Sequence, residues 1–327
     1  MSYGRLSVAE TFGLSPWRTR LAEAALLFRG DPTTPKTRFD HTALRQMTRL
    51  PGWRIWAGAR PYGRLIPIFN LFNHEQTPPE DGWSVRITCV RDFRDRALTY
   101  DSHNGTDFAT PIATPVVAAA SGRVLRVSRE FNRGGLKIFL DHGGGLVTTS
   151  NHLGRALVEV GEHVQRGQVI ALSGYSGLDG LATFPWGIPH VHYNVWLDGL
   201  PVDPFARQGE VALWRTGNAP TPFDGSAADA DLEPTVWNEA AIVEVLAACV
   251  SEASRQEIAN VRDPDERAMA VLFHLNYYPT RFRARPVIYA SRHPRRPVLD
   301  LPFLAADYDG VAFADERPNS QASIASI

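Results

Sequence analysis

Short runs of valine, isoleucine and leucine, separated by glycine-rich turns, follow one another from residue 83 to residue 209. Runs of about four to eight such residues between turn signals are typical of β-strands. Helical spacing of apolar residues is rare here, so the pattern predicts a β-rich antiparallel domain. The predicted strands are residues 116–127, 137–141, 146–150, 164–172 and 190–197.

The sequence on either side of this region has a different pattern. Apolar residues recur at helical spacing in 17–29, 42–50, 236–258 and 265–278, which predicts helices there. We therefore predict an α+β protein. Its parts are a mixed N-terminal accessory region (1–82), the β-rich domain (83–209), a small-residue, acidic and proline-containing linker or long loop (210–234) and a helical C-terminal accessory region (235–327).

Composition narrows the class of protein. The chain has 327 residues, of which 44% are hydrophobic and 21% charged, and its formal net charge is −1. This balance gives no general attraction to nucleic acid or to a membrane surface. No stretch approaches the roughly 20 apolar residues of a membrane span. The apolar run at 24–28 is too short for the core of a classical signal peptide, so none is expected.

Two histidines open the last predicted strand, in the sequence PHVHYNVWL. Side chains alternate across a strand, so His190, His192 and Asn194 share one face and are separated by about 7 Å from one to the next. Val191, Tyr193, Val195 and Leu197 share the other face, which is the core face. The motif alone leaves open whether the histidines are metal ligands, catalytic groups or ordinary strand residues.

A second group of polar residues favours the interpretation of these histidines as part of a metal site. His103 and Asp107 lie four residues apart in DSHNGTD and supply a nitrogen and an oxygen, both of which suit Zn²⁺. One imidazole from the HVH strand would complete three protein ligands and leave a fourth position for water, as in catalytic zinc sites. His152, in TTSNHL after a triple-glycine turn, has no chemical role when it is considered alone.

Residues 100–205 resemble a known family, the M23 zinc metallopeptidases of the LytM and lysostaphin type. The resemblance consists of ordered sequence blocks that span this whole segment. The blocks are HNGTDFATPIATPVVAAASGRV, GGLKIFLDHGGGLVTTSNHL, VEVGEHVQRGQVIALSGYSG and PHVHYNVWLDGLPVDP. The resemblance implies a β-rich antiparallel-sheet LytM-like metallopeptidase domain.

The resemblance also implies roles for individual residues. His103, Asp107 and His192 match the ligands of one zinc ion, whereas His152 and His190 match the histidines that flank the attacking water. Which of these two is the general base stays open. Tyr100, upstream of His103, is a weaker match for a group that stabilises the oxyanion.

The implied activity is zinc-dependent hydrolysis of peptide bonds in the cross-links or stem peptides of bacterial peptidoglycan. The implied partners are therefore peptidoglycan peptides, with no nucleic acid and no membrane span, and the oligomeric state is open. If the protein is delivered by phage lysis or a secretion system, the place of action is the cell wall, in the periplasm or outside; otherwise the location is open. The loop at 177–190 is longer than the family's usual turn, and we expect it to wall the substrate groove with Trp186.

Two alternatives compete with this interpretation. The first is a non-catalytic LytM-like module that regulates other cell-wall enzymes, although such relatives typically lack a metal ligand. The second is a biotinyl or lipoyl carrier, because residues 116–127 and 158–171 also resemble its half-barrels. The carrier requires an exposed lysine on a hairpin, and the only candidate, Lys137, lies in a predicted strand.

Overall fold

A mixed β-sheet forms the centre of the fold. The computed structural model describes residues 3–226, 228–229 and 231–316, and within these residues the sheet has 11 strands. The strands are β1 Leu65–Asn70, β2 Thr106–Ala109, β3 Pro115–Val117, β4 Gly122–Glu130, β5 Gly135–Asp141, β6 Leu146–Ala156, β7 His163–Val164, β8 Val169–Ser173, β9 His190–Leu197, β10 Leu200–Pro201 and β11 Gly310–Phe313. Together with the helices described below, the sheet confirms the predicted α+β class.

The main path of the sheet runs β11-β1-β2-β9-β6-β5-β4-β7, while β10 pairs with β9 and β8 joins β6 to β3. All pairs are antiparallel except β1 and β11, which are parallel. The strand predicted at 116–127 is in fact two strands, because the chain leaves β8 at Val117 and pairs with β5 only from Arg123. The strand predicted at 164–172 is likewise divided, with a turn between Val164 and Val169.

Helices occur mainly outside the β-rich region. They are α1 Val8–Phe12, α2 Trp17–Arg29, α3 Leu44–Met47, α4 Gly52–Trp56, α5 Leu178–Thr183, α6 Glu239–Ala248, α7 Glu252–Ala259 and α8 Pro264–Tyr277. The helix predicted at 17–29 is confirmed by α2. The helix predicted at 236–258 is two helices, because Ser251 accepts a hydrogen bond from the Ser254 amide and starts α7 there.

The C-terminal helices cover part of one face of the sheet. Phe273 of α8 packs edge-on against Phe139 of β5, with ring centroids 5.9 Å apart, and Trp196 of β9 stacks on Phe139 at 5.8 Å. On the opposite face, Val191 and Tyr193 of β9 are buried in the main core, as their alternation predicts. The helices therefore lie on the same face as the histidines, farther along β9.

Both flanking regions contribute strands to the sheet. β1 comes from the N-terminal side, and β11 comes from the C-terminal side. Leu213 and Trp214, from the segment between the β-rich region and the C-terminal helices, are fully buried in the main core. The domain boundaries drawn from the sequence stay predictions. None of the helices in the described ranges has the length and apolarity needed to cross a bilayer.

Candidate metal centre

The register of neighbouring strands sets a row of polar side chains across the sheet. Asp107 on β2 lies opposite His192 on β9, and His192 lies opposite Asn151 on β6. Asn70 on β1 lies opposite Asp107. Directly opposed residues share a face of the sheet, so these four side chains form one line.

Three candidate ligands converge on this line. Nε2 of His103 lies 3.1 Å from Oδ1 of Asp107 and 3.1 Å from Nδ1 of His192. Nδ1 of His192 lies 2.7 Å from the same carboxylate oxygen. Ligands of a tetrahedral zinc ion at its usual bond lengths are separated by about 3.3 Å, so two of the three distances are close to that value and the third, at 2.7 Å, is shorter. Two imidazoles and one carboxylate therefore fit a metal ion with one open position.

The first ligand is held in the tautomer that binding requires. Nδ1 of His103 donates a hydrogen bond to the carbonyl oxygen of Leu71 at 2.6 Å, so the lone pair of Nε2 points to the other two ligands. Gly105 allows the close approach of this turn to β9. A Cβ at position 105 would lie 2.6 Å from the Tyr193 carbonyl oxygen and 2.9 Å from Nε2 of His192.

The carboxylate ligand is held from outside the motif. The side-chain amide of Asn70 donates to Oδ2 of Asp107 at 2.6 Å, and Arg49 in turn donates to Oδ1 of Asn70. Burial alone would raise the pKa of Asp107, but the imidazoles of His103, His190 and His192 outweigh it and keep that pKa well below its usual range. The carboxylate is therefore available as an anionic ligand.

Two further histidines lie beside the three ligands. Nδ1 of His152 donates to the Ser176 carbonyl at 2.8 Å, and Nδ1 of His190 donates to the Ile188 carbonyl at 2.7 Å. Their rings are 4.6 Å apart between centroids. Since each Nδ1 carries the proton, each Nε2 has a free lone pair. Burial lowers the pKa of His190 to about 4, so this imidazole is neutral at physiological pH.

Two tyrosines line the groove that lies over these histidines and Asp107. The Tyr100 ring lies 4.5 Å from the His103 ring, and the Tyr175 ring lies 5.0 Å from the His190 ring. Burial raises the pKa of both phenols, with the charge of Asp107 contributing to the rise for Tyr100. Both hydroxyls therefore stay protonated and can donate hydrogen bonds. Tyr100 is the candidate named from the sequence, whereas Tyr175 carries no motif and was not predicted.

The groove over these groups has a volume of about 240 Å³. Leu44 and Met47 of α3 line one side, and Asp179 and Thr183 of α5 line another. Oδ2 of Asp179 lies 3.4 Å from Nε2 of His152. An N-terminal helix and the long loop thus both border the groove.

The long loop contributes to the wall in a different way from the one predicted. It presents Gly187 and Ile188, together with α5, to the groove. Phe184 instead packs edge-on against Trp56 with centroids 5.0 Å apart, and Trp186 is 63% exposed and does not line the groove. The prediction that Trp186 forms the wall is therefore wrong, because the chain turns this side chain toward solvent.

A layer of asparagines lies on the other side of His192. The amide nitrogen of Asn194 lies 2.9 Å from Nε2 of His192 and donates to the Asn104 carbonyl at 2.9 Å. The hydroxyl of Tyr277, at the end of α8, donates to Oδ1 of Asn151 at 3.0 Å. It also lies 3.2 Å from Oδ1 of Asn194. The C-terminal region thus contacts the surroundings of a candidate ligand.

The structure brings all five candidate site residues together: His103, Asp107, His152, His190 and His192. Their individual roles stay predictions. The supporting residues Arg49, Asn70, Tyr175 and Tyr277 were missed, because they lie outside any recognisable spacing and only the folded sheet brings them near. Lys137 is fully buried and pairs with Glu130 at 2.7 Å, so it is not the exposed lysine that a biotinyl or lipoyl carrier requires.

Comparison with known proteins identifies the segment that carries this site. Peptidoglycan DD-endopeptidase ShyB of Vibrio cholerae is 38% identical over 122 residues, which are 37% of this chain and 26% of that protein. Peptidoglycan DD-endopeptidase ShyA of the same organism is 40% identical over 102 residues, which are 31% of this chain and 22% of that protein. The chain thus spans about a quarter of the length of these curated relatives.

A crystal structure of a zinc-containing peptidase from Vibrio cholerae is also similar, at 32% identity. The match covers 44% of this chain and 39% of that one, with a TM-score of 0.32. Residues 101–204 match the model of the family described as Peptidase family M23. This range contains all three candidate ligands and both further histidines, so the segment that carries the candidate site is similar to peptidase family M23.

Proposed function

We propose that the protein is a zinc-dependent endopeptidase that hydrolyses peptide bonds in the cross-links or stem peptides of bacterial peptidoglycan. The observation that carries this proposal is the convergence of His103, Asp107 and His192, with ligand atoms 2.7–3.1 Å apart, beside two histidines whose Nδ1 atoms each bind a backbone carbonyl. The names of the relatives, peptidoglycan DD-endopeptidases, support the choice of substrate.

The donor set supports zinc as the metal. Two imidazole nitrogens and one carboxylate oxygen suit Zn²⁺, and three protein ligands with an open position are typical of its catalytic sites. Zinc bound there would supply Lewis-acid polarisation of the peptide carbonyl and a lowered pKa of water. The buried, anionic Asp107 offsets part of the positive charge of the ion.

Two side chains are suited to the proton transfers. Hydrolysis adds the oxygen of water to the peptide carbonyl carbon, breaks the C–N bond and moves a proton from the water to the leaving amine. His190, neutral and with Nε2 free, would accept that proton, and His152 on the other side would stabilise charge or deliver a proton to the amine. Tyr100 and Tyr175 offer protonated hydroxyls toward the developing oxyanion.

Digestion of purified peptidoglycan, followed by mass spectrometry of the fragments, tests the proposal. We expect the zinc-loaded protein to release new amine ends, whereas His152→Ala and Asp107→Ala release none above background. Zinc content measured in the same samples separates the two variants, since only Asp107→Ala should lose metal. A wild-type protein that binds zinc stoichiometrically and yields no new amine ends contradicts the proposal and favours a non-catalytic binding module.

We further propose that the protein acts where this substrate is, at the cell wall in the periplasm or outside the cell. The support is the substrate itself. Fractionation of producing cells, with detection of the protein in each fraction, tests the location. Retention of all the protein with the cytoplasmic fraction through the full growth cycle would contradict it.

A further inference from the structure

A second cavity, of about 420 Å³, lies next to the asparagine layer. We call it the arginine cavity and define it by Arg133, Tyr277, Tyr278, Asn104 and Gln76, which line it. Its volume is within the range of about 300–1,000 Å³ that ligand pockets occupy. Asn104 and Tyr277 both contact Asn194, whose amide lies 2.9 Å from Nε2 of His192. The cavity is therefore separated from a candidate metal ligand by a single layer of side chains.

The cavity contains a cation, Arg133, that has no counter-charge among the described residues. Arg133 donates from Nε to the Tyr277 carbonyl at 3.3 Å and from Nη1 to the Asn132 carbonyl at 2.9 Å. Its Nη2 makes no hydrogen bond within the described residues. No carboxylate of the described residues lies within 4.0 Å of the Arg133 guanidinium, and 4.0 Å is the limit for an ion pair.

A second guanidinium adds to this positive charge. Arg281 lies over the Tyr278 ring at 3.9 Å, and Arg133 lies 5.5 Å from the same ring. Arg281 donates to the hydroxyls of Thr34 and Ser254, and among the described residues it also has no carboxylate partner. Burial and the neighbouring charge of Arg281 lower the pKa of Arg133, so an anion beside Arg133 would be stabilised.

The other charged groups at the cavity are already paired. Asp198 accepts hydrogen bonds from the backbone amide of His293 at 2.7 Å and from its Nδ1 at 2.6 Å. Arg285 pairs with Glu80 at 2.9 Å on the exposed rim. Among the described charged groups that line the cavity, Arg133 is therefore the one that has no charged hydrogen-bond partner.

We infer that the arginine cavity binds a carboxylate of the peptide substrate, with Arg133 as the charged contact. A guanidinium whose Nη2 makes no hydrogen bond within the described residues suits a carboxylate, and a charge-assisted hydrogen bond in a partly buried site is among the strongest that proteins make. The rings of Tyr277 and Tyr278 and the side chain of Leu272 provide an apolar wall for the peptide that carries the anion. The identity of this ligand as a peptidoglycan peptide rests on the proposed function, whereas the preference for a carboxylate rests on the cavity alone.

Calorimetric binding of two peptides to the full-length His152→Ala protein tests the inference without turnover. The probes are a stem tetrapeptide with free carboxylates and the same peptide with every carboxylate amidated. We expect the free acid to bind at least about tenfold more tightly, since a hydrogen bond to a charged group contributes that much or more. Equal binding of the two peptides to this protein, whose cavity is unaltered, overturns the inference.

Variants of the cavity locate the effect. Arg133→Gln in the same background should remove the preference for the acid, and Arg133→Lys should keep part of it. The matched control Arg129→Gln changes an exposed arginine four residues away and should leave the preference intact. Thermal unfolding of each variant shows whether it is folded. A preference that persists unchanged in a folded Arg133→Gln protein also overturns the inference.

Peptidoglycan digestion tests the proposed function, and peptide binding tests the cavity inference, so either proposal can be contradicted without the other. If the wild-type protein hydrolyses peptidoglycan but binds the acid and the amide equally, the cavity inference fails and the proposed function stands. If the acid preference depends on Arg133 but no hydrolysis occurs, the cavity inference stands and the endopeptidase proposal fails.

Discussion

Asn70 donates a hydrogen bond from its side-chain amide to Oδ2 of Asp107, at 2.6 Å. Asn70 lies on β1, outside the matched segment 101–204, whereas Asp107 is a candidate metal ligand inside it. Because Arg49 donates to the other end of the Asn70 amide, the orientation of that amide is fixed. The N-terminal region therefore helps to build the site rather than only covering it.

We predict that Asn70→Ala weakens zinc binding by about 10- to 100-fold, which is the usual effect of removing a residue that orients a ligand. The variant leaves one oxygen of the buried Asp107 without its amide donor, so the carboxylate is free to rotate away from the histidines. Competition with a zinc chelator of known affinity measures the change. Asn260→Ala, at an exposed position, is the control, and equal zinc affinity in both variants would show that Asn70 does not hold the ligand.

Substitutions of the two histidines of the HVH strand should differ in their effects on zinc content and on kcat. His192→Ala removes a ligand, so zinc bound to the purified protein should fall well below one equivalent. His190→Ala leaves all three candidate ligands, so zinc should stay near one equivalent while kcat falls by about 10²- to 10⁴-fold, the usual contribution of a general base. Metal analysis and kinetics on the same preparations test this, and loss of zinc from His190→Ala would reverse the assignment.

The long loop offers a third test. Because Trp186 is 63% exposed and lies off the groove, Trp186→Ala should leave kcat/KM within about twofold of the wild type. Asp179→Ala should instead lower it, since Oδ2 of Asp179 lies 3.4 Å from Nε2 of His152. Hydrolysis of one soluble cross-linked peptide by both variants makes the comparison. A larger loss in Trp186→Ala than in Asp179→Ala would restore the tryptophan to the wall of the groove.

Some site residues could be predicted because a local sequence pattern marks them, whereas others were missed because only the folded chain brings them to the site. His190 and His192 share a face because of strand alternation, and their partners His103 and Asp107 are close in sequence and belong to a familiar block. Asn70 reaches Asp107 only through the pairing of β1 with β2, and Tyr277 reaches Asn151 only because α8 packs across β5 and β9. Such pairings depend on the whole fold, and no local pattern specifies them.

The predicted strands show the same limit. The strand predicted from Val164 to Leu172 is interrupted by the polar and glycine residues 165–168, and Val164 pairs with β4 whereas Leu172 pairs with β3. The turn between them is fixed by hydrogen bonds from Gly167 to the Ala118 carbonyl and from Ala118 to the Gln168 carbonyl. Apolar content identifies strand-forming residues, but the partner strands decide where each strand ends.

Away from the metal centre, the buried His142 makes the stability of the folded protein depend on pH. Its Nδ1 donates to the Ser121 carbonyl at 2.9 Å, its Nε2 accepts from the Thr148 hydroxyl at 2.8 Å, and burial lowers its pKa to about 4. The unfolded chain therefore takes up a proton near pH 6.5, whereas the folded protein does so only near pH 4. Between these values the unfolded state binds more protons, so stability falls as the pH is lowered through this window.

We predict that His142→Gln removes this part of the pH dependence. Between pH 7.0 and pH 4.5, the wild-type free energy of unfolding should fall by about 2 kcal/mol more than that of the variant, the loss expected from a single histidine shifted this far. Urea denaturation at both pH values measures the difference, and His163→Gln, at an exposed position, serves as the control. The variant itself is expected to be less stable at pH 7.0, so the comparison uses the change with pH rather than the absolute value. An equal fall in His142→Gln and the wild type would mean that this imidazole does not stay neutral in the folded protein.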